Sequence, residues 1–323
     1  MNDVLKEIQI TDIGGFKIGS AENIEAATGV TVMISEQGAA AGVDVRGGGP
    51  ATRETDLLKP ENMVQAINAV VLSGGSAYGL EAGCGVMDYL EEKGVGFDVG
   101  VGLVPIVCGA SLFDLVVGDS KIRPDKEMGK IACENAYKGI FEEGNHGAGT
   151  GASVGKYRGT ERMMKSGQGS SAVQIGNLQI GAVSAVNALG DIFDEKGKQI
   201  AGILSEDGSC LMSTSEIIKE DIAREFDIFK GNTTISCILT NAKLTKAQCT
   251  KLASIAHDGY ARAIRPVHST ADGDTIFVMA SGEVEVNFDA LAVLAAEQIE
   301  KAIVRAVKRA EPAYNLKAAS DFE

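Results

Sequence analysis

A threonine hydroxyl attacks an amide only when a base lies beside it. A threonine at the head of a chain carries its own base, an α-amine with pKa of about 7.7–8.0. In this 323-residue sequence one threonine is placed for that role. Gly231-Asn232-Thr233-Thr234 closes a charged, polar segment and opens an apolar, β-rich run from Thr233 to Leu239. A cut between Asn232 and Thr233 would leave Thr233 as a chain terminus. The same residues also read as a Gly-Asn turn before an ordinary strand.

Other chemistry-bearing residues lie far apart in sequence. Asp272-Gly273-Asp274 sits at a strand entrance, where two close carboxylates raise one another's pKa and so suit acid/base work; a solvated Asp-Gly turn is the plainer reading. Lys156 is a lone cation after a loop with glycines at 144, 147, 149, 151 and 155, or else a surface lysine. The run ending in Gly155-Lys156 is not a phosphate loop, because Thr150 and Tyr157 occupy positions that need glycine and Ser/Thr. Asn187, among small residues on an expected strand, is either an oxyanion donor or a structural buried amide. SGGSAYG at 73–79 is a strand-to-helix turn whose amides suit an anion, or a tight turn with a helix cap.

The elements that must position these residues follow from apolar periodicity. Strands are expected at 28–35 and 39–46, joined by a turn at Gln37-Gly38, and at Ala69–Leu72, Val101–Val107 and Thr275–Ala280. Residues 60–67 read as a helical turn, and 171–189 as a hairpin around Gly176-Asn177. Helices are expected from Ala77 to Lys93, from Pro124-Asp125 to Lys138, and from Ser215 to Phe229. Two more are expected over 244–263, capped by Thr245, and from Phe288 to Arg309. Strands and helices mix without strict alternation, which points to an α+β layered sandwich in one domain.

Composition narrows the function. A formal charge of -14 argues against nucleic acid and anionic membranes as partners. No apolar run approaches the ~20 residues of a membrane span, and the mixed-charge start MNDVLKEIQITD is unlike a secretory signal, so a cytoplasmic protein is expected. The six cysteines form no C-x-x-C pair and read as buried free thiols, while three histidines without metal spacing give no metal site. Glycine is abundant, 40 residues, and clusters at the ends of apolar runs, where it permits positive φ and close backbone approach.

Each signal is weak alone, but their order is distinctive. RGGGPATRETD at 46–56, LSGGSAYGL at 72–80, Gly155-Lys156, Asn187, Asn232-Thr233-Thr234 and Asp272-Gly273-Asp274 together closely resemble the DmpA-type family. That family comprises L-aminopeptidase/D-esterases, β-peptidyl aminopeptidases and nylon-oligomer hydrolases, and the likeness spans about Thr11 to Ala310. The resemblance implies a four-layer α-β-β-α sandwich of the type shared with ornithine acetyltransferases. It implies self-cleavage into an α chain, 1–232, and a β chain, 233–323, with Thr233 as nucleophile. It also implies a homo-tetramer of αβ units, no cofactor, and a small peptide or amide as substrate. Lys156, Asn187, Asp272 and Asp274 match residues around the threonine in the nylon-hydrolase branch, whereas aminopeptidase members often carry Ser and Glu at the two aspartates. Ser76 and Tyr78 are the candidate substrate contacts.

The implied chemistry begins with attack of the Thr233 hydroxyl on the Asn232 carbonyl, an N→O acyl shift, and hydrolysis of the ester. The Thr233 nitrogen is still an amide in that step, so Asp272 or Asp274 is the candidate base. Lys156 would favour a neutral amine and an alkoxide, and Asn187 would hold the oxyanion, a role worth ~3–4 kcal/mol. An acyltransferase of the ornithine acetyltransferase type and an uncleaved, non-catalytic homologue are the alternatives.

Overall fold

Side-chain parity along the strands dictates the layering. The computed structural model describes residues 5–222 and 231–322. The core strands are β1 (Lys6–Ile8), β2 (Lys17–Asn23), β3 (Thr28–Val45), β4 (Ile67–Ser73) and β5 (Val107–Ser111), then β6 (Gln168–Ile175), β7 (Leu178–Asn187), β8 (Thr233–Ala242) and β9 (Thr275–Val284). The helices are α1 (Ala82–Glu92), α2 (Lys126–Lys138), α3 (Thr214–Glu220), α4 (Lys246–Ala263) and α5 (Phe288–Lys308). Along β8, Ile235, Cys237 and Leu239 point one way, into a core shared with Val70 and Leu72 of β4 and Phe277 and Met279 of β9. Ile238 points the other way, onto α4 and α5. On the far side Val30, Val32 and Ile34 of β3, with Ala69 and Val71 of β4, meet Val86 and Leu90 of α1 and Ala132 and Cys133 of α2. The result is helices, sheet, sheet, helices: the expected α-β-β-α sandwich.

One strand serves both sheets. The first half of β3 pairs with β2 and β4, and its second half pairs with β9. The ladder to β4 shifts between Ile34 and Ala39, so the residues around Gln37-Gly38 form a bulge and not the expected turn. Each half of β3 finds its own partners, and the chain has no need to fold back. The expected strand over Val101–Val107 is also divided: Leu103–Val104 ends before Pro105, which cannot donate to a ladder, and β5 starts at Val107. Residues 60–67 contain turns, the helical turn falling earlier at Asp56–Leu58.

The hairpin at Gly176-Asn177 forms as expected, with Ile175 opposite Leu178. So do the later helices, for identifiable local reasons. Thr245 and Gln248 make a reciprocal capping box on α4, and Asn287 caps α5, whose last turn carries Arg305 and Lys308. Asp125 caps α2, and Gly139 ends it at φ 70°. Of the helix expected over Ser215–Phe229, residues 215–220 are helical, in α3, which starts one residue earlier; residues 223–230 lie outside the described residues. The cysteines are free, but Cys210 is exposed and Cys84 half-buried, against the expectation of burial. Among the described residues no helix is long and apolar enough to cross a membrane.

Candidate active site

Register alone brings three of the candidate segments together. β8 lies between β7, antiparallel, and β9, parallel, with Thr233 directly opposite Asn187 and Ile235 opposite Thr275. One residue before the strand, Asn232 bridges to Asp272. The buried Thr233 hydroxyl donates to the carbonyl oxygen of Asn232, its own preceding residue. That carbonyl also accepts the Gly273 N–H at 2.9 Å. The next amide, Thr234 N–H, donates to Asp274 Oδ1 at 2.9 Å.

Both aspartates are buried and fully engaged. Asp274 Oδ2 accepts the His268 backbone N–H at 3.1 Å and lies 2.8 Å from His268 Nδ1. Asp272 accepts from Leu189 N–H at 3.3 Å, from Ser269 N–H at 2.9 Å and from the Ser269 hydroxyl. Burial pushes its carboxyl up to about 6, and the Asp274 charge pushes in the same direction. Neither carboxylate hydrogen-bonds the Thr233 hydroxyl.

Lys156 is not the surface lysine that its loop suggested. It is wholly buried, and its ammonium donates to the carbonyls of Asn187 and Gly231 at 2.9 Å each. Desolvation lowers its pKa from 10.5 to about 7, with Asp272, Asp114 and Asp274 opposing the fall. The Asn187 amide nitrogen donates to Phe113 O at 2.9 Å and Gly231 O at 3.4 Å, while its oxygen accepts Ser153 N–H at 3.0 Å. Its amide hydrogens therefore face acceptors other than the Asn232 carbonyl, the position the oxyanion role had suggested.

The glycine runs explain themselves at two contacts. A Cβ on Gly47 would lie 2.3 Å from the Asp272 carbonyl oxygen and 2.4 Å from the Asp274 nitrogen, so RGGGP is the backbone platform under the Asp-Gly-Asp loop. Gly49 N–H donates to that Asp272 carbonyl at 2.8 Å. A Cβ on Gly74 would lie 1.9 Å from Asp114 Oδ2. Asp114 holds the turn by accepting Gly75 N–H and the Thr28 hydroxyl, each at 2.7 Å. Beyond that turn Ser76 sits at φ 56°, a strained value for a residue with a Cβ.

A pocket of about 190 Å³ opens on Thr233, with Ser76, Ser111, Phe113, Thr270 and Ala271 in its walls. Of the two candidate substrate contacts, Ser76 is there. Tyr78 is exposed at the surface, its ring under the Arg123 guanidinium at 3.8 Å, and it does not line the pocket. A larger cleft of about 480 Å³, between β2 and α2, shares no residue with this pocket, and the one hydroxyl in its lining, Ser20, is buried and hydrogen-bonded to Thr31 and Gln168. No group of acidic, histidine or cysteine side chains suited to a metal occurs among the described residues.

Sequence reading missed Asp114, a buried carboxyl raised to about 6 chiefly by desolvation, and Lys165, a second buried lysine lowered to about 7 by the same cause. Lys165 ties down the glycine loop by donating to the carbonyls of Gly149, Ala152 and Ser166. Lone charges in unremarkable surroundings give no sequence signal of burial. His268 and Ser269 lay beside the Asp-Gly-Asp motif, and proximity was the one available hint.

Comparison with known proteins gives the family and the fold. The sequence pattern of peptidase family S58 matches residues 9–319. An uncharacterized aminopeptidase of Mycobacterium leprae is 40% identical over 293 residues, covering 85% of this chain and 79% of the relative. A 6-aminohexanoate-oligomer endohydrolase of Kocuria is 31% identical over 312 residues, covering 92% and 85%. Among solved structures, the L-aminopeptidase D-Ala-esterase/amidase of Ochrobactrum anthropi superposes with TM-score 0.70 at 20% identity, covering 96% of this chain and 90% of that one. A Burkholderia β-aminopeptidase gives 0.70 at 21%, covering 98% and 92%. The fold is thus the variant of the N-terminal-nucleophile hydrolase fold described for the Ochrobactrum enzyme.

Proposed function

The chain belongs to peptidase family S58 and is a hydrolase of that family, and from that premise we propose that it cuts its own Asn232–Thr233 bond and then hydrolyses small peptides or amides with Thr233. The observation that carries this reading is the placement of the Thr233 hydroxyl on the Asn232 carbonyl, buried, at the head of a central strand. An ordinary turn before a strand has no use for a buried lysine and two buried aspartates around it.

In this reading the Thr233 hydroxyl loses its proton through one bridging water to Asp272, whose raised carboxyl suits it to give the proton back to the departing nitrogen. The new α-amine then serves as the base for each turnover, and the Lys156 charge disfavours its protonation. Asn187, opposite Thr233, is assigned to the acyl-enzyme stage, after Gly231 withdraws and frees the amide hydrogen now given to its carbonyl, while the bond to Phe113 O stays and orients the amide toward a substrate oxyanion. Ser76 is assigned to the substrate because it lines the pocket. A tetramer of αβ units in the cytoplasm belongs to the same proposal, supported by the family resemblance and by cysteines that are all free.

The test is intact mass under denaturing conditions for wild type and Thr233→Ala. Wild type should give two species matching 1–232 and 233–323, and the variant one full-length, inactive chain. A Thr233→Ala chain that still splits at 232/233 sinks the scheme. Release of free acid from an amide with no amine acceptor present separates hydrolysis from acyl transfer.

A further inference from the structure

We propose that the backbone N–H of Gly273 is the oxyanion donor for self-cleavage, an inference that rests on Asn232–Thr233 being the processed bond. In the continuous chain this amide donates at 2.9 Å to the Asn232 carbonyl oxygen, the atom on which negative charge would develop. The Thr233 hydroxyl donates to the same oxygen. It cannot keep that bond while its own oxygen attacks the carbonyl carbon, so Gly273 N–H is the donor that stays in place as charge builds. Asn187 is directed elsewhere at this stage, toward the Phe113 and Gly231 carbonyls.

The contact is built into the fold. It is the first rung of the parallel pairing that brings Asn232 beside Asp272 and continues as β8 on β9. Its donor is fixed from both sides. The Asp272 carbonyl, in the same peptide unit as the Gly273 nitrogen, accepts Gly49 N–H at 2.8 Å, and the Asp272 side chain is held by Ser269 and Leu189. The missing side chain matters as well: a Cβ on Gly273 would stand 2.6 Å from Thr233 Oγ1 and push the loop off the carbonyl. A preorganised donor of this kind costs no reorganisation at the moment of reaction.

The step balances as follows. The Thr233 Oγ–C bond to Asn232 forms as the hydroxyl proton passes to the base, and the carbonyl π pair moves onto the oxygen held by Gly273 N–H. Collapse breaks the C–N bond, with the proton returned to the Thr233 nitrogen, and leaves an ester between the Asn232 acyl group and Thr233 Oγ. Water hydrolyses that ester to an Asn232 carboxylate and a free N-terminal Thr233.

Replacing Gly273 by glycolic acid, through nonsense suppression in cell-free translation of the full chain, exchanges N–H for O with almost no change of shape. Cleavage is followed by intact mass, with wild type and a glycolic acid replacement at Gly49 in parallel. The second ester removes the Gly49 donor to Asp272 and leaves Gly273 N–H untouched. The expected result is cleavage slowed by about 10²–10³-fold at Gly273, the loss typical of one oxyanion donor, and by less than about tenfold at Gly49. Equal slowing at both positions would mean a ladder bond that only supports the fold, and overturns the proposal. Wild-type speed in the Gly273 ester overturns it too. If wild type itself never splits, the processing reading fails first and this one with it.

Discussion

Gly273→Ala perturbs the site through one methyl group. Gly273 is not at positive φ, so alanine fits the backbone, and the cost comes from contacts. The added Cβ would lie 2.6 Å from Thr233 Oγ1, 3.1 Å from Thr233 Cγ2 and 2.9 Å from the Gly49 carbonyl oxygen. Ordinary contact starts near 3.4 Å, so the hydroxyl or the loop must give by roughly 0.8 Å. Overpacking of this size costs about 1–3 kcal/mol of folding stability, which a domain with ~5–15 kcal/mol survives. The effect on chemistry is larger, because a displacement near 1 Å from an attacking geometry costs about 10²-fold. Thr233 cannot easily rotate away, since both branches of its side chain meet the new methyl and β-branched residues are stiff at χ1. Serine lacks the Cγ2 branch. Adding Thr233→Ser should therefore recover at least tenfold of the lost rate, a coupling that a double-mutant cycle isolates. The assay is the time course of the two fragment masses after translation, beside urea denaturation of each variant. A folded Gly273→Ala chain that splits at the wild-type rate would refute the steric argument. Failure of the serine to restore anything in the double variant would refute the part assigned to Cγ2.

Two further outcomes follow from the buried charges. The Asp272 carboxyl rises from 3.8 to about 6 on folding, so its contribution to stability is present at low pH and is lost as pH rises through about 6. That amounts to about 3 kcal/mol at ~1.36 kcal/mol per pKa unit. In a Thr233→Ala background, which keeps the chain whole, Asp272→Asn should reduce the stability difference between pH 4.5 and 7.5 by about 2 kcal/mol, since roughly a third of the loss is already complete at pH 4.5, measured by urea denaturation. An unchanged difference would rule out Asp272 as its source. At the other turn, Gly74→Ala would force a methyl to within 1.9 Å of Asp114 Oδ2 and 2.4 Å of Thr28 Oγ1, breaking the bonds that hold Asp114. The expectation is a loss above about 3 kcal/mol, read as a lower urea midpoint, because a buried carboxylate would be left unpaired. A midpoint equal to wild type would contradict the clamp assigned to Asp114.

Much of this protein is legible in its sequence. The apolar run after Asn232, the helix caps at Asp125 and Thr245, and the Gly-Asn hairpin are local patterns, and local patterns set elements before any tertiary contact exists. The Gly-Asn-Thr entrance and the Asp-Gly-Asp motif are each weak alone, and it is their order along the chain with the glycine runs that makes the pattern recognisable. What the sequence did not determine is everything that depends on who becomes a neighbour. The residues around Gln37-Gly38 look like a turn until β9 and β4 claim opposite halves of one strand. Lys156 and Lys165 look like surface cations until packing strips their water and lowers both to about 7. Asp114 shows no motif at all, because its meaning lies in two hydrogen bonds to residues distant in sequence. The tertiary structure alone sets Asn187 opposite Thr233 and turns the Gly273 amide onto the Asn232 carbonyl. Register and burial are properties of the assembled sheets, and no single segment carries them.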